Sequence, residues 1–100
     1  MNNIKNIQEQ VIPLLVPYAK KVSLIGSFAR GDEGSNSDID LLVKLRSPNN
    51  RPKLGLKWFG LEIEIGHILG HTIELISEDT VSPYIKPYIE NDRIILYEEG

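Results

Sequence analysis

Apolar positions recur along this chain with two different periods. Near the start, Ile4, Ile7, Val11, Leu14 or Leu15, and Tyr18 are spaced by three and four, which places them on one face of a helix over residues 3–19. Pro13 and Pro17 each remove a backbone donor and crowd the preceding turn, so the pattern predicts a kink near Pro13 or an end between Leu15 and Tyr18. Residues 22–25 form an unbroken apolar run that reads as a short strand stopped by Gly26. Residues 27–30 can close a helical turn, and residues 31–37, rich in Gly, Ser, Asp and Asn, read as a loop. From residue 38 to 45 the period is two. Ile39, Leu41, Val43 and Leu45 alternate with Asp38, Asp40, Leu42 and Lys44, giving a strand with one apolar face and one face that begins with two carboxylates.

Residues 46–53 carry Pro48 and Pro52 among Ser and Asn and read as a loop; Arg46, Arg51 and Lys53 there suit a solvated surface better than a phosphate contact. In residues 54–69 the segment L-E-I-E-I alternates like a strand, yet Leu54, Trp58, Leu61, Ile65 and Ile68 step by four, three, four and three. A stripe sustained over four turns favours a helix, weakened by Gly55, Gly60 and Gly66 at about 1 kcal/mol each and stopped by Gly70. Residues 72–76 read as a third strand with Glu74 on the face opposite Ile73 and Leu75. Ser82-Pro83 suits the start of a last helix, with Pro87 limiting its regularity, and residues 92–97 read as a strand or packed tail. Trp58 and Phe59 are expected in the core or on a partner surface, and Tyr84, Tyr88 and Tyr97 in packing. His67 and His71 are four apart, but Gly70 ends the helix between them, so they read as surface or cap residues rather than metal ligands.

One hundred residues fit a single domain, residues 1–100. With 41% hydrophobic and 25% charged residues the composition is that of a folded globule rather than a disordered chain. A net charge of −3 argues against a general nucleic-acid binder. Cysteine is absent, which removes disulfides and thiolate metal sites. The first ten residues lack the pattern of a secretory signal, and no apolar run nears the ~20 residues of a membrane helix, so a cytoplasmic protein without a membrane partner is expected.

The chemistry concentrates in residues 22–43. Side chains at positions i and i+2 of a strand share a face, with Cα atoms about 6.5–7 Å apart. Carboxylates so placed repel each other and favour a cation between them or a raised pKa on one. Asp38 and Asp40 therefore suit Mg²⁺, which takes oxygen ligands from one or two carboxylates plus substrate phosphates. Two such ions about 3.5–4 Å apart clamp the attacking and leaving oxygens of a displacement at phosphorus. Glu74 is the candidate third carboxylate from a neighbouring strand. Gly26 admits close backbone approach of a ligand, Ser27 offers a hydroxyl at the start of a helical turn, and Arg30 follows one turn later, able to neutralise phosphate. The stretch is no P-loop, dinucleotide fingerprint or EF-hand, because the required Gly-Lys-Ser/Thr, glycine spacing and terminal Glu are missing.

The run G-S-F-A-R-G-D-E-G-S-N-S-D-I-D-L-L-V, residues 26–43, resembles the nucleotidyltransferase signature of the polymerase-beta-like superfamily, Gly-Ser followed by Asp-x-Asp. Ala29-Arg30-Gly31, Ser37 to Leu41 and the short chain are similar to the minimal nucleotidyltransferases, the MntA-type antitoxins encoded beside HEPN-domain toxins. The resemblance extends to the helix ending at Gly70, the strand at 72–76 and the closing Ile-Leu-Tyr-Glu. It implies the minimal nucleotidyltransferase fold, an α/β (α+β) arrangement with a mixed sheet flanked by helices, and transfer of AMP from Mg-bound ATP to a hydroxyl, with release of pyrophosphate. The implied acceptor is a tyrosine of a HEPN-domain toxin, which AMPylation neutralises within a hetero-oligomer. Asp38 and Asp40 map onto the first two metal carboxylates, Gly26 and Ser27 onto the phosphate-binding pair, and Arg30 onto the arginine of the Ala-Arg-Gly segment. The third carboxylate departs from the family pattern: Glu74 stands in Ile-Glu-Leu where Asp is usual. Glu is one methylene longer, and Mg²⁺ demands near-ideal octahedral geometry, so the alternative is an antitoxin that acts by binding and occlusion without catalysis.

Overall fold

The computed structural model of the chain describes residues 3–34 and 37–99, so positions 35 and 36 of the predicted loop lie outside it. Its elements in chain order are α1 (Asn3–Leu15), β1 (Ala19–Ile25), α2 (Gly26–Arg30), β2 (Ile39–Leu45), α3 (Lys57–Leu69), β3 (Ile73–Ser77), α4 (Lys86–Asp92) and β4 (Ile94–Glu98). Short 3-10 turns cover Pro48–Asn50 and Glu78–Thr80. The strands form one mixed sheet in the order β3-β2-β1-β4. β1 runs antiparallel to β2 and β4, and β2 runs parallel to β3 across the crossover that α3 supplies. The expected fold class is thus the observed one.

Alternation divides the sheet into two unlike faces. Val22 and Leu24 of β1, Ile39, Leu41 and Val43 of β2, Ile73 and Leu75 of β3 and Leu96 of β4 are buried in one apolar cluster with Ile7, Val11 and Leu15 of α1 and Leu61 and Ile65 of α3. The opposite face is arranged in rungs by the strand register. Ile25 pairs with Asp40 and Asp40 with Glu74; Ser23 pairs with Leu42 and Leu42 with Ile76; Lys21 pairs with Lys44. Carboxylates therefore occupy one end of this face and ammonium groups the other, two rungs or about 13 Å apart by the strand rise.

Several elements end where local chemistry decides rather than where periodicity suggested. α1 tolerates Pro13 in its last turn and stops at Leu15, within the predicted interval. β1 begins at Ala19, three residues earlier than its apolar run. α3 begins at Lys57 because residues 54–56 form a turn, with Gly55 at φ 42 and the Lys57 N–H donating to the Leu54 carbonyl at 2.7 Å. The buried edge of α3 also drifts: Leu61 and Ile65 are buried and Trp58 and Leu69 pack against the core, while Ile68 is left 44% exposed. Ser82-Pro83 starts a turn rather than the helix, since the Ile85 and Lys86 N–H groups both donate to the Ser82 carbonyl. Pro87 falls in the first turn of α4, where its missing donor costs nothing. Arg46 is no solvated loop residue: it donates to the Val16 carbonyl at 3.1 Å and pairs with Glu99 at 2.6 Å.

Candidate active site

The β1–α2 junction positions the first group. Gly26 has φ 76, a left-handed conformation that side chains strain to adopt, and a Cβ added there would lie 2.5 Å from Asp40 Oδ2. The backbone conformation favours glycine, and the close approach shows that the Asp40 carboxylate lies against the backbone of Gly26. α2 is a single short helix closed by Gly31 at φ 79, whose N–H returns to the Ser27 carbonyl at 2.9 Å. Phe28 anchors it in the core, with its ring edge-on to His71 at 5.2 Å between centroids, and this leaves Ser27 and Arg30 at the surface.

The parallel pairing of β2 with β3 brings Asp40 and Glu74 opposite each other in register. Asp38 precedes β2 by one residue and is exposed, as is Glu74, whereas Asp40 is half-buried. Burial raises the Asp40 pKa above its ordinary value, the negative charges of Glu74 and Asp38 raise it further, and Arg30 partly offsets them. Among the described residues neither Asp40 nor Glu74 forms an ion pair. Nor, among the described residues, do three His, Asp or Glu side chains converge as they stand into a metal-holding group. The donor chemistry fits Mg²⁺: Asp40 and Glu74, with Asp38 nearby in the chain, offer hard oxygen atoms, and a divalent cation would relieve the repulsion that adds to burial in raising the Asp40 pKa.

Arg30 donates from Nε to Asp32 at 3.1 Å and lies 3.6 Å from Asp92. These hydrogen bonds and charges raise its pKa. Both partners are partly exposed, so the pairs are weak and exchangeable for a phosphate. A hollow of about 180 Å³ adjoins this group, lined by Ile25, Gly26 and Arg30 on one side and Tyr88, Ile89 and Asp92 of α4 on the other. The periodicity of the sequence does not reveal it, because only the tertiary placement of α4 against α2 creates it. Tyr88 and Tyr84, expected to pack, are instead 76% and 87% exposed, while Tyr97 does pack against the core. A larger hollow of about 510 Å³ lies between α3 and β3, but none of the six candidate residues lines it, and its Glu62 carboxylate already accepts the Leu75 N–H at 2.9 Å.

A second ionic group occupies the far end of the same face. Arg93, with 4% side-chain exposure, donates to Ser23 Oγ at 2.7 Å, to Glu78 Oε1 at 2.7 Å and to Glu90 Oε1 at 2.5 Å. Burial opposes ionisation of Glu78, but the Arg93 hydrogen bonds and charge outweigh it and hold its pKa below the ordinary value. In the sequence Arg93 carries no motif, and only the meeting of α4, β1 and the turn after β3 makes it a hub.

The model of the nucleotidyltransferase domain family matches residues 4–96. The chain is 30% identical over 93 residues to the Methanocaldococcus jannaschii protein named "Putative protein adenylyltransferase MJ0435", covering 92% of this chain and 96% of that one. A solved "putative minimal nucleotidyltransferase" superposes with a TM-score of 0.75 at 25% identity, over 93% of this chain and 92% of the other. A chain from the complex of tri-AMPylated Shewanella oneidensis HEPN toxin with MNT antitoxin gives a TM-score of 0.70 at 16% identity, over 95% of this chain and 72% of its own, a likeness of fold.

Proposed function

This chain belongs to the nucleotidyltransferase domain family, and we propose that it transfers AMP from Mg-ATP to a hydroxyl, a tyrosine hydroxyl by preference, of a HEPN-domain toxin and so neutralises it. The observation that carries the reading is the Asp40–Glu74 rung with the Asp40 carboxylate against the backbone of Gly26, and it supports a metal held beside a bound phosphate. The M. jannaschii relative named for protein adenylylation and the AMPylated toxin in the structural neighbour support the choice of AMP and of a protein acceptor.

In this reading Asp38, Asp40 and Glu74 would hold Mg²⁺, which would supply charge neutralisation at the phosphates and lower the pKa of a bound hydroxyl. Gly26 lets the triphosphate approach the main chain, and the Ser27 hydroxyl donates to a phosphate oxygen. Arg30 leaves its exposed partners Asp32 and Asp92 and neutralises charge that develops on the departing pyrophosphate. Glu74, exposed on an edge strand, accepts the proton of the acceptor hydroxyl. The acceptor oxygen forms a new bond to the α-phosphorus as the bond to pyrophosphate breaks, leaving AMP on the acceptor.

The test is to incubate the protein with labelled ATP, Mg²⁺ and the protein encoded beside it. Label on the partner is expected, and none with Asp38→Asn/Asp40→Asn; label that survives the double substitution removes the proposed site. A second reading, occlusion without transfer, draws on an exposed apolar surface at the start of α3, where Leu56 of the preceding turn is 84%, Phe59 59% and Ile63 63% exposed. It predicts tight partner binding with no thermal shift at saturating Mg-ATP.

A further inference from the structure

We propose that the hollow between α4 and the β1–α2 junction is the nucleobase subsite, with Tyr88 as its stacking platform and Asp92 reading the base edge; this rests on the nucleotidyltransfer reading above. The hollow shares Gly26 and Arg30 with the proposed phosphate site, so a group seated in it lies close to a phosphate held there. Its remaining walls match the chemistry of a base, which has two flat apolar faces and a polar edge. Ile25 is buried and Ile89 half-buried, and they present apolar surface. Tyr88 lines the same hollow with 76% of its surface still exposed, leaving the ring free to stack.

Asp92 supplies the edge contact. Its carboxylate accepts hydrogen bonds and donates none when ionised, so it suits the exocyclic amino group of adenine better than uracil, whose one N3–H donor is flanked by two carbonyl oxygens that repel the carboxylate. Its ion pair with Arg30, at 3.6 Å, leaves other lone pairs available. Asp92 is tied in place through the next residue: Arg93 is hydrogen-bonded to Ser23 of β1 and to Glu78, which links the C-terminal end of α4 to the strand that delivers Gly26. Such prior fixing is what a binding site needs to discriminate between ligands.

The experiment is calorimetric titration of the wild type, Tyr88→Ala and Tyr88→Phe with Mg-ATP, Mg-UTP and Mg-tripolyphosphate. Tyr88 is exposed, so both variants are expected to fold, which thermal unfolding checks. The wild type should prefer ATP to UTP. Tyr88→Ala should lose about tenfold in ATP affinity by the scale of base–aromatic stacking, Tyr88→Phe should retain it, and tripolyphosphate should bind all three proteins alike. Equal losses for ATP and tripolyphosphate in Tyr88→Ala, or equal affinity of the wild type for ATP and UTP, overturn the subsite. Unchanged ATP binding in Tyr88→Ala with reduced labelling of the partner overturns it too, and assigns the hollow to the acceptor. A wild type that binds neither ATP nor tripolyphosphate overturns the nucleotidyltransfer reading itself.

Discussion

The open face of the sheet carries two acidic groups that are handled in opposite ways. At one end Glu78 is buried, bonded twice by Arg93, and titrates below the ordinary range of a glutamate. At the other end Asp40 faces Glu74 across a parallel pair of strands and titrates above the ordinary range of an aspartate. The first group is complete within the chain. Among the described residues the second forms no ion pair, and the Arg30 that partly offsets its charge is itself paired with Asp32 and Asp92. One buried carboxylate is balanced by an arginine and the other is left among carboxylates, and under the proposed function an external cation would relieve that repulsion. Stability and activity are therefore expected to separate along this face.

The largest effect should come from breaking the complete group. Arg93→Met leaves Glu78 uncompensated and should cost about 3–5 kcal/mol, a large share of the 5–15 kcal/mol typical of a domain; urea unfolding measures it. Replacing both partners, Arg93→Met with Glu78→Gln, should recover part of the loss, because no uncompensated charge then remains. Nearly as large, but on activity without loss of stability, is Asp38→Asn/Asp40→Asn, which should reduce partner labelling by on the order of 10²–10³-fold while circular dichroism stays native.

The pH dependence sharpens the comparison with smaller effects of opposite sign. Glu78 faces Arg93, with Lys21 and Lys44 adding to the field. Its folded pKa is below its unfolded value, so its contribution is present above pH ~4.5 and lost as pH falls through the folded pKa. The midpoint of thermal unfolding should drop through that window in the wild type and less so in Glu78→Gln. Asp40 is raised, so its ionised form weakens the fold at neutral pH and the penalty disappears once it is protonated. Asp40→Asn alone should thus raise the unfolding temperature by a few degrees at pH 7 and give no gain at pH values below 3.8. A site residue whose removal stabilises the protein is maintained for something other than stability.

How much of this was legible in the sequence follows from the range over which each feature is determined. Gly26, Ser27, Arg30, Asp38 and Asp40 fall within one short segment, and strand periodicity alone puts Asp40 and Glu74 on corresponding faces. The register that sets them side by side belongs to the β2–β3 pairing, which periodicity suggests but does not fix. The outer boundary of α3 and its drift from Ile68 to Leu69 depend on the core it packs against. Arg93, Asp92 and Tyr88 were out of reach, because α4 is short, interrupted by Pro87, and acquires meaning only where it meets β1 and α2.

The central claim, that Asp40 and its neighbours await a divalent cation, is tested most directly by thermal unfolding with ATP present, as Mg²⁺ is added and then withdrawn with a chelator. A reversible rise in the unfolding temperature is expected for the wild type, and no rise for Asp38→Asn/Asp40→Asn. An equal rise in both proteins, or none in the wild type, would contradict the account.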